Sequence, residues 1–461
     1  MKYVSTRGQS PAIDFEDALL SGPAPDGGLY VPQSWPRLDM QRLAAEKNPS
    51  YADLAATVLT TFAVQPEWRE PIERHTRAAY AKWDDPRIAP LRELGSHRWL
   101  LELFHGPTLA FKDVAMQLLA RLMDWSLKKR KSHSIIVGAT SGDTGGAAID
   151  AFKNSKNATT VILHPHGRVS DVQRRQMTTV ESPVIHNIAI EGNFDDCQAI
   201  VKALFNDVGF RDRVGLAGVN SINWARIMAQ IVYYVSSAVA LGAPDRQVSF
   251  CVPTGNFGDI FAGFAAKRMG VPIDRLIIAT NVNDILDRTL KSGRYEMKGV
   301  HPSSSPSMDI QISSNFERLL YLAYGRDAGA IRSLMSGLSQ SGSFTIGQKE
   351  LASIREEFDS HAVNEVETAK TIAQTLKTTG ELLDPHSAVG FAAALRSKAS
   401  DSAMVTLATA HPAKFPDAVE KASGIRPHLP QRLSHLLNAK ERFTILPNSA
   451  TAVRDFVLAL K

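Results

Sequence analysis

Lys112 is the residue whose position calls for a chemical account. It lies in the stretch Phe104 to Leu122, FHGPTLAFKDVAMQLLARL. After it, Ala115, Leu118, Leu119 and Leu122 recur at helical spacing, so Lys112 falls in the first turn of a helix. Unsatisfied N–H groups make the field positive there, and a permanent cation is disfavoured. Between Phe111 and an apolar helix face, desolvation and that field both favour the neutral amine. A neutral amine is the form that attacks carbonyls to give Schiff bases. Asp113 partly satisfies the same helix end, which weakens the electrostatic argument without removing it. The competing reading is a solvated surface lysine, the fate of most lysines.

Two further strand-to-helix turns are unusually polar and rich in glycine: GATSGDTGG (Gly138 to Gly146) and PTGNFGD (Pro253 to Asp259). In PTGNFGD, Gly255 and Gly258 are expected to allow positive φ and close backbone approach, so that N–H groups form an anion nest at a helix start. An ordinary βα turn is the alternative. SGDTGG offers the Ser141 and Thr144 hydroxyls and the Gly142 and Gly145 N–H groups as a second anion cradle. It is not a P-loop, because no G-K-[ST] follows. Asp143 is out of place in a pure anion nest; it is expected to accept hydrogen bonds from the loop or to meet a cationic group of a ligand. LATAHPAKF adds Thr409 at a strand end, with His411 and Lys414 read as caps of the next helix. In chain order these are a candidate Schiff-base lysine, a small-anion loop, a phosphate cradle and a strand-end hydroxyl. Pyridoxal phosphate needs a lysine for its aldehyde, a cradle for its phosphate and a partner for its ring nitrogen.

The elements that must position these turns follow from hydrophobic periodicity. From Trp99, β-branched runs alternate with helical patterns: WLLELF, SIIVGA, ATTVILH and VIHNIAIEG, then VSFCVPT, RLIIATN and AMVTLATA. Continuous apolar strands separated by helices indicate parallel strands buried on both faces, an α/β class with right-handed crossovers. Ligands of such sheets bind beyond the strands' carboxyl ends, which is where the three polar turns lie. The expected organisation is an N-terminal domain over 1–90, a smaller α/β domain over 91–220, and a larger α/β domain over 221–461. The larger one carries a mostly helical insertion at about 283–380, opened by the loop HPSSSPSMD.

Composition excludes several classes. The chain has 461 residues, 44% hydrophobic and 21% charged, as ordinary globular proteins do. Its net charge of +5 comes with no long basic run. Lys128, Lys129, Arg130 and Lys131 sit where the Lys112 helix ends, a dipole-favoured place for cations, so nucleic-acid binding is not expected. Cys197 and Cys251 are the two cysteines, far apart and without metal-ligand spacing; a disulfide framework and a metal site are not expected, and a reducing, cytoplasmic setting is. The first residues, MKYVSTRGQSPAIDFEDALLSG, lack an apolar h-region. The most apolar stretch, Ile227 to Ala243, contains Gln230, Ser236 and Ser237, and reads as a buried helix rather than a membrane span.

With FHGPTLAFKD, SGDTG, GNFGD and TAHPAKF together, the chain resembles the threonine synthases, in the longer bacterial and fungal form among fold-type II pyridoxal-phosphate enzymes. The resemblance runs nearly end to end, through STRG, PDGGLYVP, NSINWARI, SPSMDIQISSNFERLL and DPHSAVG. It implies two open, twisted parallel-sheet α/β domains with an additional N-terminal domain. It implies that Lys112 bears pyridoxal 5'-phosphate as an imine, that Gly255, Asn256, Phe257, Gly258 and Asp259 hold its phosphate, and that Thr409 meets its pyridine nitrogen. Thr140, Ser141, Asp143 and Thr144 would face the substrate, with Asn223 and Arg226 as anion contacts. The implied reaction turns O-phospho-L-homoserine and water into L-threonine and phosphate, in a monomer or small homo-oligomer. Open alternatives are a serine/threonine dehydratase or β-replacement enzyme, a synthase-like protein that binds phosphorylated ligands without turnover, and a nucleotide-binding protein using PTGNFGD. The insertion and the SPSMDIQISSNFERLL stretch argue against the first, and Lys112 against the second. The lack of a Walker lysine argues against the third.

Overall fold

Uninterrupted aliphatic runs become the centres of two sheets in a computed structural model, which describes residues 1–46, 49–95, 97–397 and 402–460. The larger sheet has six strands, in the order Phe358–Ala362, Ile273–Thr280, Val248–Pro253, Ala403–Ala408, Arg98–Glu102 and Leu91–Gly95. All neighbours are parallel except the last pair, an antiparallel edge. The smaller sheet is wholly parallel, in the order Thr444–Pro447, Ile185–Glu191, Ala158–Pro165, Ser134–Ala139 and Leu216–Ala217. Every residue of Val248–Pro253 and Ala158–Pro165 is buried, as strands covered by helices on both faces must be.

The sheets do not follow the segments 91–220 and 221–461. Strand Arg98–Glu102 pairs with Ala403–Ala408 in the larger sheet, while Thr444–Pro447, near the chain's end, extends the smaller one. A sequence pattern identifies a strand but not its sheet, because pairing is decided by contacts distant along the chain. The insertion is mostly helical, as expected, through Ile285–Ser292, Phe316–Ala323, Ala328–Ser341, Gln348–Glu357 and Glu365–Thr379, but it also carries strands. Arg294–Glu296 and Ser343–Thr345 form a two-stranded antiparallel ribbon, and Phe358–Ala362 becomes an edge strand of the larger sheet. In that strand only Phe358 is fully buried, so FDSHA carries no apolar run to announce it.

The N-terminal region packs four helices, Phe15–Leu20, Met40–Ala45, Tyr51–Phe62 and Arg69–Tyr80, beside the strand pair Tyr3–Ser5 and Tyr30–Pro32. It meets the rest of the chain at helix Trp224–Ala240. The Trp224 ring lies 6.0 Å from Tyr3, 6.1 Å from Trp35 and 5.7 Å from Phe62, centroid to centroid. Such aromatic contacts dominate core energetics. Among the described residues no helix is long and apolar enough to cross a membrane.

One buried histidine gives the fold a pH dependence. His164, in the fully buried strand Ala158–Pro165, is 1% exposed and its Nδ1 has no hydrogen-bond partner among the described residues. Burial, with His166 and Arg174 acting in the same sense, pulls its pKa down to about 4. The unfolded chain takes up this proton below about pH 6.5 while the folded chain does not, so stability is fully present above that pH and is lost as pH falls towards 4. The loss is about 3 kcal/mol for this residue. Urea unfolding at pH 7 and pH 5 is expected to show the decline, and His164→Leu to flatten it; an equal slope in the variant refutes the assignment.

Candidate active site

Three turns meet at Lys112. The residues before it are clasped to the end of strand Ala403–Ala408: Phe111 N–H donates to the Thr409 carbonyl at 2.9 Å, and His411 N–H to the Leu109 carbonyl at 3.0 Å. An isolated bridge joins Ala110 and Ala410. Helix Lys112–Lys129 then begins at Lys112 itself, with Phe111 as its N-cap residue. Asp113 does not answer the Lys112 charge. Its two oxygens accept from Thr108 N–H and Thr108 Oγ1, both at 2.7 Å, and burial pushes its carboxyl up to about 6.

Lys112 is 8% exposed; its Nζ stands 3.2 Å from Asp143 Oδ2 and 4.6 Å from the Phe111 ring centroid. Burial pulls its pKa down, with Lys414 and Arg226 in the same sense and Asp143 opposing. Asp143 opens helix Asp143–Phe152, after the turn at Gly142, whose φ of 146° suits glycine alone. Its carboxylate also meets Lys414 Nζ at 2.8 Å, Gln173 Nε2 at 2.8 Å and Ser307 Oγ at 3.3 Å. Burial opposes its ionisation, but Lys414 and Lys112 together hold it well below the usual carboxylate range.

The SGDTGG loop is built differently from a simple anion nest. The N–H groups of Gly142 and Gly145 both donate to Thr140 Oγ1 at 2.9 Å, so they brace the loop from within. Thr140 is 2% exposed, while Ser141 and Thr144 keep partial exposure at the mouth of the turn. Asp143 binds neither the loop nor an open space; it anchors two lysines that lie far apart in sequence.

The PTGNFGD turn departs from expectation in one respect. The left-handed residue is Phe257, with φ 61°, and neither Gly255 nor Gly258 has positive φ. That conformation costs a non-glycine residue roughly 1–2 kcal/mol, offset here by a ring that is 1% exposed and packs on Phe316 and Phe358 at 5.3 and 5.8 Å. Gly255 is required for proximity instead: a Cβ there would stand 2.8 Å from the Ser307 carbonyl oxygen. Helix Gly258–Arg268 follows, and its first N–H groups lack intrahelical partners. Asn256 is exposed at the tip, and its carbonyl accepts from Asn315 N–H and Nδ2 at 3.1 and 2.9 Å. Asp259 is buried; Tyr233 and Tyr234 donate to its Oδ1 at 2.5 and 2.9 Å, and burial pushes it up to about 6.

Of the two expected anion contacts, one is spent elsewhere. Asn223 caps helix Trp224–Ala240, accepting from Ala225 N–H, and its amide donates to the carbonyls of Leu19 and Ser21 at 3.0 and 2.9 Å. An Asn at a helix start is strongly favoured as a cap, and here the cap also fastens the N-terminal region. Arg226 is 3% exposed; one nitrogen donates to the Val219 carbonyl at 3.1 Å, and its Nε has no partner among the described residues. Burial lowers it to about 10. A buried guanidinium in this state suits an anion.

Several site residues carry little or no signal in the sequence. Lys414 is fully buried on Asp143 and the Thr108 carbonyl, not a cap; its apolar neighbours Pro412, Ala413 and Phe415 were the available signal. His411 does cap its turn, accepting from Ala413 N–H at 3.1 Å. Gln173, on the polar helix Asp171–Thr178, gave no signal. Asp384, His386 and Ser387, at the start of helix Pro385–Arg396, reach the site through backbone: His386 Nε2 accepts from Ser307 N–H at 3.2 Å and Ser387 Oγ from Thr409 N–H at 3.1 Å. Thr409 itself is 5% exposed at the strand end.

Comparison with known proteins gives one family. A family profile described as pyridoxal-phosphate dependent enzyme matches residues 85–409, flanked by profiles for the threonine synthase N terminus over 2–80 and C-terminal region over 387–457. The chain is 52% identical to a threonine synthase of Pseudomonas aeruginosa, across 99% of this chain and 98% of that one. It is similar to the crystal structure of a pyridoxal-phosphate-bound threonine synthase from Brucella melitensis, with a TM-score of 0.97, 57% identity, and coverage of 100% and 99%. The yeast threonine synthase structure superimposes with a TM-score of 0.92 at 37% identity, covering 100% and 98%. The chain belongs to the threonine synthase family of fold-type II, pyridoxal-phosphate-dependent enzymes.

Proposed function

We propose that this chain converts O-phospho-L-homoserine and water into L-threonine and phosphate, with Lys112 as the residue that bears the cofactor and moves protons. The observation that carries the reading is the convergence of buried Lys112, Asp143 and the Thr409 strand end, joined to the Gly255–Asp259 turn through Ser307.

The residues present fit pyridoxal phosphate. The turn at Gly255 leaves no room for a side chain, a helix start follows it, and buried Arg226, with an orphaned Nε, lies near enough to act on the charges of both Lys112 and Asp259. Lys112 would hold the cofactor's aldehyde carbon and Gly255, Asn256, Phe257, Gly258 and Asp259 its phosphate, and the Thr409 hydroxyl its ring nitrogen. When bound, pyridoxal phosphate takes up the electron pair left as the substrate's Cα–H bond breaks. Lys112, with its amine free, would serve as the base for that proton and would later return it as an acid. Thr140, Ser141, Asp143 and Thr144 belong to the wall facing the substrate, with Arg226 for an anionic group. In the net reaction the Cγ–O bond breaks and phosphate leaves with the electron pair. One Cβ–H bond breaks as well; water's oxygen bonds to Cβ and sheds one proton, and of the two protons so released one is delivered to Cγ and one to the departing phosphate. Donors that grip the phosphate harder as its charge grows raise turnover as well as affinity.

We further propose a cytoplasmic enzyme acting at the last step of threonine biosynthesis, as a monomer or small homo-oligomer without nucleic-acid or membrane partners. Two buried free thiols and a mild net charge support this setting. The deciding experiment is an absorbance spectrum with and without O-phospho-L-homoserine, with phosphate release followed in parallel and ammonia release from threonine as comparator. Phosphate release far exceeding ammonia release is expected. Absence of phosphate release overturns the reading.

A further inference from the structure

Asp143 is shared by two buried ammonium groups, and the sharing is unequal. Lys414 Nζ lies 2.8 Å from Oδ1, donates also to the Thr108 carbonyl at 2.7 Å, and has no exposed surface. Lys112 Nζ lies 3.2 Å from Oδ2 and is 8% exposed; its other contact is the face of Phe111. One carboxylate cannot balance two cations in a buried site. If Lys112 gives up its proton, a balanced Asp143–Lys414 pair and a free amine remain.

The other charged groups facing the trio act in both senses. Arg226, from helix Trp224–Ala240, adds a further positive charge near Lys112. Asp259, from helix Gly258–Arg268, accepts from Tyr233 and Tyr234 and attracts the Lys112 charge from a distance, with no hydrogen bond between the two among the described residues. Asp113, on Lys112's own helix, accepts from Thr108 and attracts Lys414, which favours the charge on that lysine. His386, from helix Pro385–Arg396, faces Asp143, with its Nε2 accepting from Ser307 N–H and its Nδ1 turned to Asp384.

We propose that Lys414 is a positioning residue for the reaction: by holding the larger share of the Asp143 carboxylate, its ammonium leaves Lys112 as the member of the trio that gives up its proton. The inference rests on Lys112 being the cofactor-bearing lysine. Capturing an aldehyde and accepting a Cα proton both require a free amine. A buried aspartate–lysine pair standing alone would hold the proton on the lysine. Lys414 lifts that hold while keeping Asp143 in place against Gln173 and Ser307.

The test is competitive acetylation of the full-length chain, freed of cofactor, with trace acetic anhydride across a pH series. Labelling of Lys112 is read by mass spectrometry against the exposed Lys128. Removing a positive neighbour favours protonated Lys112, so Lys414→Gln is expected to cut Lys112 labelling about tenfold at pH 7, as lowering the pH by about one would in the unaltered chain. In the loaded enzyme the acid limb of kcat, which reports the substrate-bound state in which the Lys112 amine is free, is expected to move up by the same interval, and Lys414→Arg to restore both. Labelling of Lys112 in Lys414→Gln within twofold of the unaltered chain overturns the inference. Should that variant fail to fold, Asp143→Asn decides: the unopposed lysines then repel, and Lys112 labelling rises about tenfold or the sharing is refuted. Borohydride reduction of the loaded, unaltered chain separates the two claims. A cofactor adduct on another lysine sinks the reading of Lys112, whatever Lys414→Gln does.

Discussion

Lys112→Ala is expected to lose at least about 10⁴-fold in turnover, at the upper end of what a positioned acid–base group supplies, because the same atom also bonds the cofactor. The fold should survive. Asp143 keeps Lys414 at 2.8 Å, Gln173 at 2.8 Å and Ser307 at 3.3 Å, so the buried carboxylate is not left without a counter-ion. The clasp between Phe111 and Thr409 is backbone to backbone and does not involve the deleted side chain. Circular dichroism should therefore match the parent, and the cofactor should bind without covalent attachment. Lys112→Arg adds a control, for it keeps the charge beside Asp143 but supplies no amine that condenses with an aldehyde. It should be as inactive as the alanine variant. Retention of more than about 1% of turnover by either variant, on the same scale of effect, would show that another residue does this work.

Lys112 was legible because two independent expectations conflicted at one residue: helical periodicity put it in a first turn, and the dipole argued against a cation there. The structure resolves the conflict through burial and through Asp143, whose other cationic partner, Lys414, comes from the far end of the chain. No spacing rule connects the two lysines. The same limit explains the sheets. The run AMVTLA announced a strand, but only the folded chain shows it between Val248–Pro253 and Arg98–Glu102, bringing Thr409 beside Lys112.

Asn223 and Phe257 illustrate a different limit. An Asn before an apolar helix fits a cap and an anion contact equally well in sequence, and the cap prevailed because the carbonyls of Leu19 and Ser21 took both amide hydrogens. In GNFGD, glycine was the natural candidate for a left-handed residue, yet Phe257 takes that conformation because its ring gains a buried aromatic pocket. The neighbouring glycines serve close approach, which leaves no mark on hydrophobic pattern. The loop HPSSSPSMD reads as polar low complexity, but Asp309 orders it. Its carboxylate accepts from Asn281, Asn283 and Ser303, and this network presents Ser307 to Asp143.

Asp384→Asn is expected to be the most damaging substitution that touches no reacting group. Asp384 accepts four hydrogen bonds at the start of helix Pro385–Arg396: from His386 N–H and Nδ1 on one oxygen, and from Ser387 N–H and Oγ on the other. Each partner then holds one wall of the site. His386 fixes the Ser307 backbone at 3.2 Å, and Ser387 fixes the Thr409 backbone at 3.1 Å. An asparagine has one acceptor oxygen where two are needed, so an N–H pair is left facing an NH₂ group at a position that is 1% exposed. The stability cost is about 2–3 kcal/mol, read as a lower midpoint in denaturant with unchanged slope. Turnover should fall roughly 10²-fold at 25 °C in the folded variant, since a displacement of about 1 Å in a positioning group costs that much. Ser387→Ala releases only the Thr409 wall and His386→Ala only the Ser307 wall. Each should therefore lose less turnover than Asp384→Asn, provided the folded fraction is matched. If Asp384→Asn keeps turnover within twofold of the parent once folded, the carboxylate supports the helix start alone and does not position the site.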